Sequence, residues 1–167
     1  DWIEEMLGIL LQPGVGIVGA RLWYEDDTLQ HGGVIVGAGG TAAHAHAFLT
    51  RSDSGYFGRA HLAQEFSAVT GACLMVRKSL YEELGGLDEK NLAVAFNDVD
   101  FCLRAREAGW RIVWTPYAEL YHYESKSRGA EDVGERKGRM GRESAYMRRH
   151  WKRVIRNDPY YNPNLSY

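Results

Sequence analysis

Asn97, Asp98 and Asp100 crowd three polar side chains into one short stretch, and Arg104 follows Asp100 by four residues. On a helix that spacing pairs Arg104 with Asp100 and leaves the Asp98 carboxylate available. A free carboxylate beside a cleft has the chemistry of a general base, taking the proton from a hydroxyl as it attacks. The bland reading is an acid that only complements a helix N-terminus, where negative charge is favoured without any reaction. The apolar run Leu92-Ala93-Val94-Ala95-Phe96 just before the cluster supports chemistry, because it offers a wall behind the acid.

His122 is the second candidate. It follows Leu120-Tyr121 at the end of a strand-like run, and its neighbours Glu124, Ser125 and Ser127 are polar, so the chain leaves the core there. That placement suits a metal ligand or a phosphate contact as well as a plain hydrogen-bonded histidine. Lys126 and Arg128 add positive charge where a diphosphate could sit. His44 and His46 are spaced for one strand face, but two histidines without a third ligand make a weak zinc signal. A metal-dependent hydrolase built on His44, His46 and His122 fails on that spacing. Trp110, Trp114, Tyr117, Tyr121 and Tyr123 supply core packing, and one or two of them could stack on sugar rings. Gly37 to Gly40 lacks the Lys-Ser/Thr ending of a phosphate loop.

The elements that must hold these residues read as an α/β alternation. Trp2, Ile3, Met6, Leu7, Leu10 and Leu11 recur at helical spacing behind a capping Asp1, and Pro13-Gly14 stops the helix. Val15 to Leu22 reads as a buried strand, Gly32 to Gly37 as a second and Ser67 to Arg77 as a third. Ser79 to Leu84 is a short helix with Ser79 as a cap, and Asp98 to Ala108 is a helix stopped by Gly109. Trp110 to Thr115 and Ala118 to Tyr123 read as two strands separated at Pro116. Glu131 to Val154 reads as a charged surface helix, and residues 158–167 as an extended tail. Residues 41–66 have no clean period.

Bulk properties narrow the classes. The 167 residues suit one domain with a real core. Hydrophobic content of 45% and charged content of 25% are those of a folded globule. A formal charge of −2 without blocks of like charge leaves no electrostatic footprint for nucleic acid. No apolar run approaches the ~20 residues that span a bilayer, and no signal-peptide pattern is present. Cys73 and Cys102, both in apolar stretches, read as reduced core thiols. The implied compartment is the cytoplasm. The basic residues Arg136, Lys137, Arg139 and Arg142 leave peripheral contact with the inner face of a membrane open, although Glu131, Asp132, Glu135 and Glu143 interleave with them as on a solvated face. The start at Asp1, without methionine, reads as a cut within a larger protein.

Three segments together resemble the family 2 glycosyltransferases of GT-A fold, in particular the bacterial enzymes of O-antigen and other surface polysaccharides. They are TGACLMVRKSLYEELGGLDE (70–89), FNDVDFCLRAREAGWRIVWTPYAELYHYES (96–125) and DPYYNPNLS (158–166). The opening DWIEEM resembles the helix after that family's metal-binding Asp-x-Asp segment. The resemblance covers the whole chain and implies a partial GT-A fold, a mixed sheet flanked by helices. It implies inverting transfer from a nucleotide-sugar donor to a saccharide or lipid-linked saccharide acceptor. Asp98 is placed as catalytic base, with Asn97, Asp100 and Arg104 in support. Gly71, Ala72 and Cys73, with Trp110, are placed on the acceptor side. His122 is placed as ligand to a divalent metal, Mn or Mg, shared with an Asp-x-Asp motif upstream. Asn97 stands where many members have Glu. On this reading 1–167 is one acceptor-side portion, inactive without its nucleotide-binding half. The alternative is a non-catalytic carbohydrate-binding or assembly module of the same fold.

Overall fold

The structure, a computed structural model, describes residues 1–123 and 133–165. Its centre is β1 (Val15–Trp23), buried at all nine positions. The long strand β7 (Arg111–Tyr121) runs parallel along one edge of β1. The other edge is shared by β2 (Leu29–His31) and β6 (Leu74–Val76), both antiparallel to it. The two-residue strand β5 (Gln64–Glu65) closes the outer edge of β7. A separate ribbon pairs β3 (Val34–Val36) with β4 (Ala42–His44).

Period-two alternation divides the sheet between two cores. Ile17, Ile112 and Trp114 pack with Phe101 and Leu103 of α3 (Asn97–Glu107), and with Met147 and Trp151 from the C-terminal helices α4 (Val133–His150) and α5 (Lys152–Arg156) and the residue between them. Val18, Ala20, Leu22 and Val113 pack instead with Met6 and Leu10 of α1 (Trp2–Leu10). Complete burial of side chains such as Phe101 and Leu103 stabilises by roughly 1.5–3 kcal/mol each. Asp1 caps α1 as its sequence suggests, its carboxylate accepting the Ile3 N–H at 3.0 Å. Only Met6 and Leu10 of the apolar residues in that helix are buried.

Five readings from the sequence change. The strands separated at Pro116 are one strand: its register against β1 jumps between Thr115 and Glu119, so Pro116, which has no N–H to offer, lies in an unpaired bulge. The span 67–77 is a turn over Gly71–Cys73 followed by the three-residue β6. Helix α2 (Lys78–Glu83) starts from Arg77 without a side-chain cap, so Ser79 lies inside it. The charged C-terminal helix is no simple surface element, because Glu143, Met147 and Trp151 are buried. The supposed tail is anchored too: Asp158 is buried and accepts from Val36 N and Ser67 Oγ.

His31, in β2, carries a pH dependence for the whole fold. Complete burial, reinforced by His44 beside it, holds its imidazole well below the ordinary 6.5, so the folded ring is neutral. Below pH 6.5 the unfolded chain binds a proton that the native chain refuses. This group therefore leaves stability unaffected well above its ordinary value and lowers it, by up to about 1.4 kcal/mol per pH unit, as pH falls below it. Urea unfolding at several pH values checks this. His31→Gln is expected to flatten the acid-side slope, and an unchanged slope would place the sensitivity elsewhere.

Candidate active site

Between the β3–β4 ribbon, the turn at Gly71 and the start of α3 lies a cavity of about 620 Å³. Its lining includes Asn97 and Asp98 on one side, Gly71 and Ala72 beside them, and His44 and His122. The geometry at Asp98 is specific. Oδ2 accepts the Gly71 N–H at 2.7 Å and Oδ1 accepts the Val99 N–H at 2.8 Å. A Cβ on Gly71 would stand 3.3 Å from the Cβ of Asp98, so a glycine lets the turn come this close. Two backbone donors hold the carboxylate in place without supplying a counter-charge.

The neighbouring acid is fully engaged elsewhere. Asp100 is buried; its Oδ2 receives Arg104 Nε at 2.8 Å and its Oδ1 receives Trp151 Nε1 at 2.8 Å. Arg104 also donates to the carbonyls of Leu84 and Gly86, both at 2.7 Å. The i,i+4 pairing read from the sequence is present, and it ties α3 to the end of α2 and to the C-terminal helices. Gly109, at φ 91°, ends α3: its N–H reaches Arg106 O, and Trp110 N reaches Ala105 O.

The segment leading into Asp98 is held by a residue that the sequence reading left on the solvated face. Glu143 of α4 is buried, and its carboxylate accepts from Val94 N at 3.2 Å and Ala95 N at 2.9 Å. These donors precede Phe96, whose φ of 63° turns the chain into α3. A left-handed, non-glycine residue costs of order 1–3 kcal/mol and persists only where its surroundings impose it. The two Glu143 bonds are part of that imposition.

Opposite Asp98, one glutamine organises two histidines. Gln30 is buried in β2; its side-chain Oε1 lies 2.8 Å from His122 Nδ1, its Nε2 donates to His122 O at 3.1 Å, and its carbonyl lies 2.7 Å from His44 Nδ1. No sequence signal pointed to Gln30. His46 separates from this pair: it has φ 59° and lines a different, smaller cavity with Tyr56 and Arg59. Among the described residues no group of three His, Cys, Asp or Glu is arranged to hold a metal ion.

The residues expected on the acceptor side divide. Gly71 and Ala72 line the cavity, whereas Cys73 and Trp110 do not. The Cys73 side chain packs toward α1, 4.0 Å from Met6 Sδ, because the turn at 71–73 directs it to the other face of the sheet. Trp110 packs against the larger core, with the Arg77 guanidinium 5.8 Å from its ring centre. Both cysteines are free thiols, and burial pushes Cys102 up to about 12. Lys126 and Arg128, expected at a diphosphate, lie outside the described residues.

The sequence profile described as Glycosyltransferase like family 2 matches residues 1–144, most of the chain and every residue that lines the cavity. The chain belongs to glycosyltransferase family 2. Its mixed sheet flanked by helices is a partial GT-A fold. Across 99% of its length the chain is 51% identical to the uncharacterized protein y4gI of Sinorhizobium fredii, and covers 18% of that protein. It is 37% identical, again over 99% of its length, to the O-antigen biosynthesis protein RfbC of Myxococcus xanthus, covering 13% of it. A 63-residue stretch, 38% of the chain, is 38% identical to an N-acetylglucosaminyl-diphospho-decaprenol L-rhamnosyltransferase of Mycobacterium tuberculosis, covering 20% of that enzyme. The chain thus spans less than a fifth of the length of the first two relatives. Among the described residues no helix is long and apolar enough to cross a membrane.

Proposed function

We propose that these 167 residues supply the acceptor side and the catalytic base of an inverting glycosyltransferase of polysaccharide biosynthesis. The observation that carries the reading is Asp98. Its carboxylate lines the cavity and is oriented by Gly71 N and Val99 N, while Asp100 is bound up with Arg104 and Trp151. In the proposed reaction an acceptor hydroxyl lies against Asp98, gives up its proton to the carboxylate and attacks the anomeric carbon of a nucleotide-sugar. Asn97, Gly71 and Ala72 border the acceptor. The O-antigen and rhamnosyltransferase relatives support a saccharide or lipid-linked saccharide as that acceptor.

His122 fits one ligand position of a divalent cation, because its ring lines the cavity and its Nδ1 is engaged by Gln30. The resemblance to the family places the remaining ligands and the donor nucleotide, on this reading, with an Asp-x-Asp segment upstream. When bound, such a cation supplies charge neutralisation at the departing diphosphate.

The test is sugar transfer by the complete protein that carries this chain, offered UDP-, dTDP- and GDP-sugars with a lipid-linked acceptor. Turnover supports the reading; donor binding without turnover would move it to a carbohydrate-binding or assembly module. His122→Ala is expected to weaken the apparent affinity for Mn²⁺ by about tenfold or more in a titration of activity. A superimposable titration curve would make His122 structural.

A further inference from the structure

From the hydrogen bonds around β2 we infer that Gln30 is a positioning residue of this site, locking His122 as its Nδ1–H tautomer and leaving the Nε2 lone pair to the cavity. The main-chain carbonyl of His122 can only accept, so the group that meets it at 3.1 Å must be the NH₂ of the Gln30 amide. That settles which way the amide points, and its oxygen then faces His122 Nδ1 at 2.8 Å. An amide oxygen only accepts, so Nδ1 carries the hydrogen and the neutral ring keeps its lone pair on Nε2. The same logic holds for His44: the Gln30 carbonyl, 2.7 Å from its Nδ1, forces Nδ1–H there as well.

Both rings line the cavity that Asp98 also lines, and no described group bonds either Nε2. The site therefore holds two imidazole acceptors whose orientation depends on one buried residue. The strand supports this use of Gln30. Leu29, Gln30 and His31 are all buried, yet the glutamine amide satisfies its oxygen on a ring and its nitrogen on that ring's own backbone. A second-layer partner of this kind sets tautomer and ring direction, and its loss commonly lowers ligand affinity or activity 10- to 100-fold. The link to turnover rests on the function proposed above; the tautomer assignment does not.

The experiment separates the two. Two-bond ¹H–¹⁵N correlation spectra of this chain, recorded where both rings are neutral, are expected to show Nδ1–H for His44 and for His122. Gln30→Met keeps length and apolar bulk but removes both side-chain bonds, while the carbonyl at position 30 remains. In that variant His122 is expected to shift toward Nε2–H and His44 to stay as it was, a split that general misfolding would not produce. In the complete protein the same variant is expected to lower kcat/KM by about 10- to 100-fold. A wild-type His122 carrying Nε2–H overturns the inference, whether or not the variant folds. So does a His122 that keeps its tautomer in Gln30→Met. Full turnover in Asp98→Asn would instead sink the functional reading while the tautomer result stood.

Discussion

Asp98→Asn in the complete protein is expected to lower turnover by about 10²- to 10⁴-fold with donor affinity nearly unchanged. The substitution keeps the shape of the side chain and removes its charge and its ability to take a proton. The carboxylate now accepts from Gly71 N on one oxygen and Val99 N on the other. An asparagine oxygen can keep one of these bonds, and its NH₂ must turn from the other donor. The local cost is about one hydrogen bond, roughly 1 kcal/mol, too little to unfold the domain. Thermal unfolding beside the kinetic assay separates a chemical effect from a structural one. Turnover at the wild-type level would remove Asp98 from the role of base and return it to the part of a helix-start acid.

Asp100→Ala is expected to act on stability far more than its neighbour does. It removes one partner of a buried ion pair, and that class of change costs about 3–5 kcal/mol because the other charge is left uncompensated. Arg104 keeps its bonds to the carbonyls of Leu84 and Gly86 but loses its counter-ion, and the Trp151 indole N–H loses its acceptor. For a domain of this size the shift in Tm is about 10 °C. Calorimetry of the wild type and the variant measures it, and a shift of less than about 3 °C would show that the pair is replaced by water at little cost. Because Asp100 joins α3 to the C-terminal helices, the loss is also expected to loosen the helix that presents Asp98. In kinetic terms that appears as lower kcat in the folded fraction.

The residues that build the cavity side of α3 were readable from local spacing. Asp100 and Arg104 are one helical turn apart, so their pairing follows from the 3.6-residue period and needs no knowledge of the fold. The same holds for the stop at Gly109, the Asp1 cap and the burial of the apolar run that forms β1. The α/β class follows from these signals together. Where the local signal was ambiguous, the structure went the other way. Pro116 reads as a strand end but is accommodated in a bulge. Glu143 reads as one more charge on a solvated helix, and only the chain 48 residues earlier shows what its carboxylate holds.

By itself, then, the amino-acid order determined the helix that carries Asp98, the pairing that leaves that acid free, the buried central strand and the family to which the chain belongs. All of these depend on residues near one another in the chain, or on a pattern of types along it. Tertiary structure alone decided that Gln30 meets His122 across 92 residues, that His44 joins them while His46 does not, and that Cys73 and Trp110 face away from the cavity. The reason is geometric: which face of a sheet a side chain occupies, and which distant strand lies beside it, depends on strand order and register. Neither leaves a period in the sequence, and the buried glutamine that orients the histidines has no local partner to betray it.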